Sequence, residues 1–101
     1  MSVIATLKIR GDTETFKKAL QDRADEFRQM AEQGKAAGAL HHQFTVGDGY
    51  VLVVDEWESG EAFQKFVNAP QLTEFIGSIG GDTSVAPELA YGDTIDSPDR
   101  F

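Results

Sequence analysis

The stretch Leu40 to Ser59, LHHQFTVGDGYVLVVDEWES, constrains the fold more than any other. Two β-rich runs flank Asp48-Gly49, and an Asp-Gly pair in that setting predicts a two-residue type I′ turn, because glycine accepts a positive φ without strain. The turn fixes the register: Gly47 faces Tyr50, Thr45 faces Leu52, Phe44 faces Val53 and His42 faces Asp55. One face then carries Leu40, His42, Phe44, Val46, Val51, Val53, Asp55 and Trp57. The other carries His41, Gln43, Thr45, Tyr50, Leu52, Val54 and Glu56. A three-residue loop would mix polar and apolar groups on both faces, and register is best specified where one face is consistently apolar.

Before the hairpin, Val3 to Arg10 alternates, with Val3, Ala5, Leu7 and Ile9 on one side, so a strand is expected. Asp12 or Thr13 is placed to cap a helix running from about Thr13 to Gln33, with Phe16, Ala19, Leu20, Ala24, Phe27, Met30 and Ala31 as its apolar stripe. Gly34 fits the position after its end, and Lys35 to Ala39 reads as a loop. After the hairpin, Ser59 is an N-cap. Pro70 cannot continue a helix normally but suits the first position of a new one. A broken helix is therefore expected over about Gly60–Ala69 and Pro70–Ile79. Gly80-Gly81 ends it, and a last strand falls within Ser84 to Tyr91, with pairing confined by Pro87 to a sheet edge or to its later half.

Strand, helix, strand, strand, helix, strand is the order of an α+β, ferredoxin-like βαββαβ antiparallel sheet with helices on one face. The expected spatial order is strand four, one, three, two. The uncovered face would show Ile4, Tyr50, Leu52 and Val54, an apolar patch of the kind that marks an interface. A homodimer pairing these faces is the expected partner arrangement. One domain over residues 1–95 with a flexible tail at 96–101 fits a chain of 101 residues.

A net charge of −8 argues against nucleic acid and anionic membrane surfaces, which need Lys/Arg patches. The absence of cysteine removes thiolate chemistry and disulfides. The apolar run at the start of the chain is too short and too alternating for a signal or spanning segment, so a cytoplasmic location is expected. His41 and His42 point to opposite faces of one strand and are poorly placed to share a metal.

At Asp55–Phe75 the run DEWESGEAFQKFVNAPQLTEF resembles the antibiotic biosynthesis monooxygenase family of the dimeric α+β barrel superfamily. The matching features are Trp57 at a strand end, Ser59 as a small N-cap, Glu61-Ala62-Phe63, and Pro70 interrupting the helix. The resemblance extends by element order over about residues 2–95. It implies a dimeric α+β barrel and a pocket between sheet and helices. For activity it implies cofactor-independent oxidation of a small aromatic or polyketide-type substrate, with no metal or flavin required. The haem-degrading branch has an Asn–Trp–His set, of which only Trp57 is matched here. Ala5 and Thr6 occupy the relevant part of the first strand, and the second helix has no histidine.

The candidate groups follow from the register. His42 and Asp55 face each other on the helix-covered side. A buried carboxylate needs a partner, and an imidazole held by one forms a base–orienter pair. The competing reading is a satisfied polar pair at the sheet's end. Trp57 offers an aromatic wall to a flat ligand, or simply anchors the second helix. Phe44, Phe16, Phe27, Phe63 and Phe66 complete the expected substrate-binding set, each also suited to the core. A non-catalytic small-ligand-binding barrel protein uses the same pocket without chemistry, and a structural dimer uses none of it.

Overall fold

The computed structural model describes residues 2–101, so Met1, where the expected domain begins, lies outside the described residues. Strand β1 is Val3–Arg10, followed by helices α1 (Thr13–Asp22) and α2 (Ala24–Ala37). Strands β2 (Ala39–Val46) and β3 (Tyr50–Trp57) form the hairpin. Helices α3 (Gly60–Val67) and α4 (Pro70–Ser78) lead to β4 (Glu88–Asp93). The sheet order is β2-β3-β1-β4, and every pairing is antiparallel. This is the expected α+β, ferredoxin-like arrangement, read from the other edge.

Alternation decides which face is covered. Val3, Ala5 and Leu7 of β1 are buried together with Val51, Val53 and Trp57 of β3. Between these and the helices lie two clusters. Phe16, Ala19, Val51 and Ile79 make one, and Ala5, Trp57 and Phe63 the other. On the uncovered face Ile4 is 44% exposed and Tyr50, Leu52 and Val54 are half-buried. Polar contacts frame that patch: Lys8 Nζ sits 4.4 Å from the Tyr50 ring centre, and His41 Nε2 lies 3.8 Å from Glu56.

The hairpin register is as expected, with His42 opposite Asp55, Phe44 opposite Val53 and Thr45 opposite Leu52. The turn subtype differs. Only Gly49 takes a positive φ, at 78°, while Asp48 does not, so the turn is not type I′. An L-residue is penalised in the left-handed region, and the Gly49 carbonyl is drawn outward to accept from Gly11 N at 3.2 Å. A register irregularity between Ala39 and His41 also leaves Leu40 without a ladder partner, 48% exposed, and Ala39 takes its place opposite Trp57.

Two helical boundaries depart from expectation. The first helix breaks at Arg23 (φ −125°, ψ 33°), where no glycine or proline announces it. The Arg23 guanidinium reaches across to Ser78, donating to its carbonyl and to its Oγ at 3.0 Å each, and it also pairs with Glu26. The second piece then runs through Gly34 to Ala37 and ends at Gly38, whose φ of 120° suits glycine. Lys35, Ala36 and Ala37 are good helix formers, which carries the helix past Gly34. Pro70 begins α4 as expected, and pairing of the last strand starts only after Pro87. Among the described residues no helix is long and apolar enough to cross a membrane.

Asp12 caps α1, its Oδ1 accepting from Glu14 N at 3.0 Å and Thr15 N at 3.3 Å. Hydrogen bonds from the Thr15 side chain, then from the Thr15 and Glu14 amides, hold its carboxyl below its ordinary pKa. A depressed folded pKa contributes stability that is present above the unfolded value and lost as pH falls through the folded one. Asp12→Asn is therefore expected to keep most of the cap while flattening the fall in melting temperature below about pH 4. Thermal melts of both proteins between acid and neutral pH check this.

Candidate functional site

Between the sheet and the helices lies a cavity of about 290 Å³. It is lined by members of both core clusters, and α4 covers it with Leu72, Phe75 and Ile76. All eight expected site residues, His42, Asp55, Trp57, Phe44, Phe16, Phe27, Phe63 and Phe66, line this one cavity. They come from five elements, β2, β3, α1, α2 and α3. The walls are aromatic and interlocked. Phe16 and Phe44 meet edge to face at 5.1 Å, Phe27 and Phe44 at 5.9 Å, and Phe27 and Phe75 at 5.0 Å.

The polar corner is built on the hairpin. His42 Nδ1 lies 2.7 Å from Asp55 Oδ1. The other carboxylate oxygen, Oδ2, accepts from the Trp57 indole Nε1–H at 3.2 Å. A carboxylate offers only acceptors, so the hydrogen in the short contact belongs to the imidazole Nδ1. In the neutral ring that leaves Nε2 with a free lone pair. The Asp55 side chain is 12% exposed and the His42 side chain 40%, so the pair spans the boundary between cavity and solvent. The imidazole also stands edge to face against Phe44, ring centres 4.6 Å apart.

Trp57 is 1% exposed and packs against Phe63 and Phe66 at 5.8 and 5.3 Å. Its bond to Asp55 was not anticipated from the sequence, though strand alternation places residues two apart on one face and signals it. Leu72, Phe75 and Ile76 of α4 form a further wall of the cavity. Met30, from α2, joins the lining as well. His41 pairs with Glu56 across β2 and β3 on the opposite face from this corner. Among the described residues no group of three or more His, Cys, Asp or Glu side chains comes together in a metal-ligand cluster.

A dimeric ferredoxin-like protein from an uncultured marine organism superposes with a TM-score of 0.61 at 19% identity, covering 99% of this chain and 93% of its own. SnoaB, a cofactor-independent oxygenase from Streptomyces nogalater, gives 0.58 at 11% identity, covering 98% and 96%. A variant of MhuD carrying two manganese protoporphyrin IX molecules per active site gives 0.58 at 22% identity, covering 94% and 96%. At these identities the likeness shows the fold. No curated protein matches the sequence. The profile of one family, described as antibiotic biosynthesis monooxygenase, matches residues 1–78 and so includes both the polar corner and all the aromatic residues of the cavity wall. On that match this chain belongs to the antibiotic biosynthesis monooxygenase family.

Proposed function

We propose that this protein is a cofactor-independent monooxygenase acting on a small aromatic or polyketide-type substrate with an acidic C–H or O–H bond. The observation that carries the reading is the His42–Asp55 contact at 2.7 Å, set at the edge of a cavity with aromatic walls. A general base needs a free lone pair within reach of the substrate and a partner to hold its orientation. His42 Nε2 and Asp55 fill those roles. The cavity, at about 290 Å³, stands at the small end of ligand pockets, which favours a compact ring system. Phe44, Phe16, Phe27, Phe63, Phe66 and the Trp57 wall hold the planar body.

The chemistry is economical. His42 takes the acidic proton, and the resulting carbanion or enolate transfers electrons to O₂ and forms a C–O bond. The peroxide so made loses water to leave a carbonyl. For an anthrone the balance is one substrate and one O₂ giving one quinone and one water. The substrate itself is the reductant, so no external electron donor enters the equation. Incubating the protein with a panel of hydroxylated anthrones, with and without oxygen, tests this. O₂-dependent product supports the reading. Saturable quenching of Trp57 fluorescence with no product in air overturns it in favour of a non-catalytic binding protein.

A second copy belongs to the same reading. The uncovered face presents Ile4, Tyr50, Leu52 and Val54, and a structural neighbour is described as dimeric. Pairing these faces in a dimeric barrel removes the patch from water. Leu52→Lys is expected to shift the mass by light scattering at micromolar protein from two copies toward one. A wild-type monomer under those conditions contradicts the pairing.

A further inference from the structure

We infer that Trp57 is a positioning residue, its indole N–H fixing the tautomer of His42 through Asp55. The inference rests on the His42 base reading above and adds to it a second contact on the carboxylate. Among the described residues each Asp55 oxygen has one side-chain partner: Oδ1 faces His42 Nδ1 at 2.7 Å, and Oδ2 accepts from Trp57 Nε1–H at 3.2 Å.

These contacts differ in rigidity. His42 is 40% exposed in its side chain, and its neighbours are Asp55 and the edge of Phe44. Left alone, such a ring flips and exchanges tautomers. Trp57 is 1% exposed and wedged between Phe63 and Phe66. Its indole direction is set by packing that is independent of the polar corner. Residues 55 and 57 share one face of β3, and His42 stands opposite Asp55 in the register. Order therefore runs from the core outward: packed indole, then carboxylate plane, then imidazole. The result is Nδ1–H on the carboxylate, with the lone pair left on Nε2 of a ring that lines the cavity.

This also separates two uses of a tryptophan. A residue that only packs, or only stacks on a ligand, acts through its ring. A positioning residue acts through its N–H. The discriminating substitution therefore keeps the ring and removes the N–H. Trp57→Phe does so approximately. Incorporation of the benzothiophene analogue of tryptophan does so with the ring area preserved, and serves where Trp57→Phe folds poorly.

The readout is the pair of imidazole ¹⁵N signals of His42 in ligand-free protein near neutral pH. Wild-type protein is expected to show one protonated-type and one lone-pair-type nitrogen, widely separated, with Nε2 as the lone-pair nitrogen. In both tryptophan replacements the signals are expected to move toward each other as the tautomers mix. Asp55→Asn, which removes the carboxylate, shows the limit of that movement. Signals that stay separated in both replacements, or a wild-type ring with the hydrogen on Nε2, overturn the inference. Because no substrate is used, failure of the oxygenase reading in the turnover assay leaves this result standing, and the reverse also holds.

Discussion

Replacing His42 by alanine is expected to lower O₂-dependent turnover by about 10²–10⁴-fold, the usual contribution of a positioned general base. Its effect on folding is expected to be modest: the His42 side chain is 40% exposed, and Asp55, at 12%, loses its partner on Oδ1 but keeps the Trp57 Nε1–H on Oδ2. Asp55→Ala should be worse for the protein as a whole. It removes the orienter and strands the buried Trp57 indole N–H, an unsatisfied donor costing about 1–3 kcal/mol. The two variants thus separate chemistry from structure. Stopped-flow or steady-state rates on the same substrate, paired with thermal melts, check both halves. A His42→Ala protein with wild-type rate places the reaction elsewhere in the cavity.

The largest expected effect on stability lies at a glycine junction. Gly11 follows β1, and Gly80 and Gly81 follow α4; Gly11 bridges to Gly81. Asp12 N donates to the Gly80 carbonyl at 3.0 Å, and Asp82 N to the Arg10 carbonyl at 2.8 Å. All three glycines line the cavity. A Cβ on Gly11 would stand 2.2 Å from the Gly80 carbonyl oxygen, backbone that cannot step aside without breaking these bonds. A Cβ on Gly80 would meet the Asp12 carbonyl oxygen at 2.8 Å, and Gly80 already takes φ 107°.

Overpacking and left-handed strain each cost about 1–3 kcal/mol. A domain of this size loses about 4–8 °C of melting temperature per kcal/mol. Gly11→Ala and Gly80→Ala are therefore both expected to melt well below the wild type. Gly92→Ala, where no atom of the described residues lies within 4 Å of the added carbon, is expected to stay within about 0.5 kcal/mol. Calorimetry on the three variants checks the contrast, and equal melting temperatures contradict the close approach.

How much of this was legible follows from where each cause lies in the chain. The hairpin register was legible because its determinants, Asp48-Gly49 and the alternation on either side, are local. His42 facing Asp55 then came directly from counting. Pro70 announced the break between α3 and α4 for the same reason. The break at Arg23 was not legible, since its partner Ser78 lies 55 residues away. Gly34 marked the expected end of the first helix, but the helix formers Lys35, Ala36 and Ala37 carry it on to Gly38. The turn subtype was misjudged because Gly49 also serves Gly11 of another strand end, a contact outside the hairpin. The irregularity at Leu40 left no local mark. The aromatic residues of the cavity were each visible as core positions. That they surround a space was implied by the family resemblance rather than by their spacing, and the cavity they line has a volume of about 290 Å³.

On the proposed reading, His42 removes a proton from a ligand held in this cavity. Exchange of the acidic hydrogen of an anthrone for deuterium, followed by NMR in oxygen-free D₂O, isolates that step from everything O₂ does afterwards. Exchange with wild-type protein is expected well above the buffer rate, and exchange with His42→Ala near the buffer rate. Substrate that binds in the cavity yet exchanges no faster than in buffer, or exchanges equally with both proteins, contradicts it.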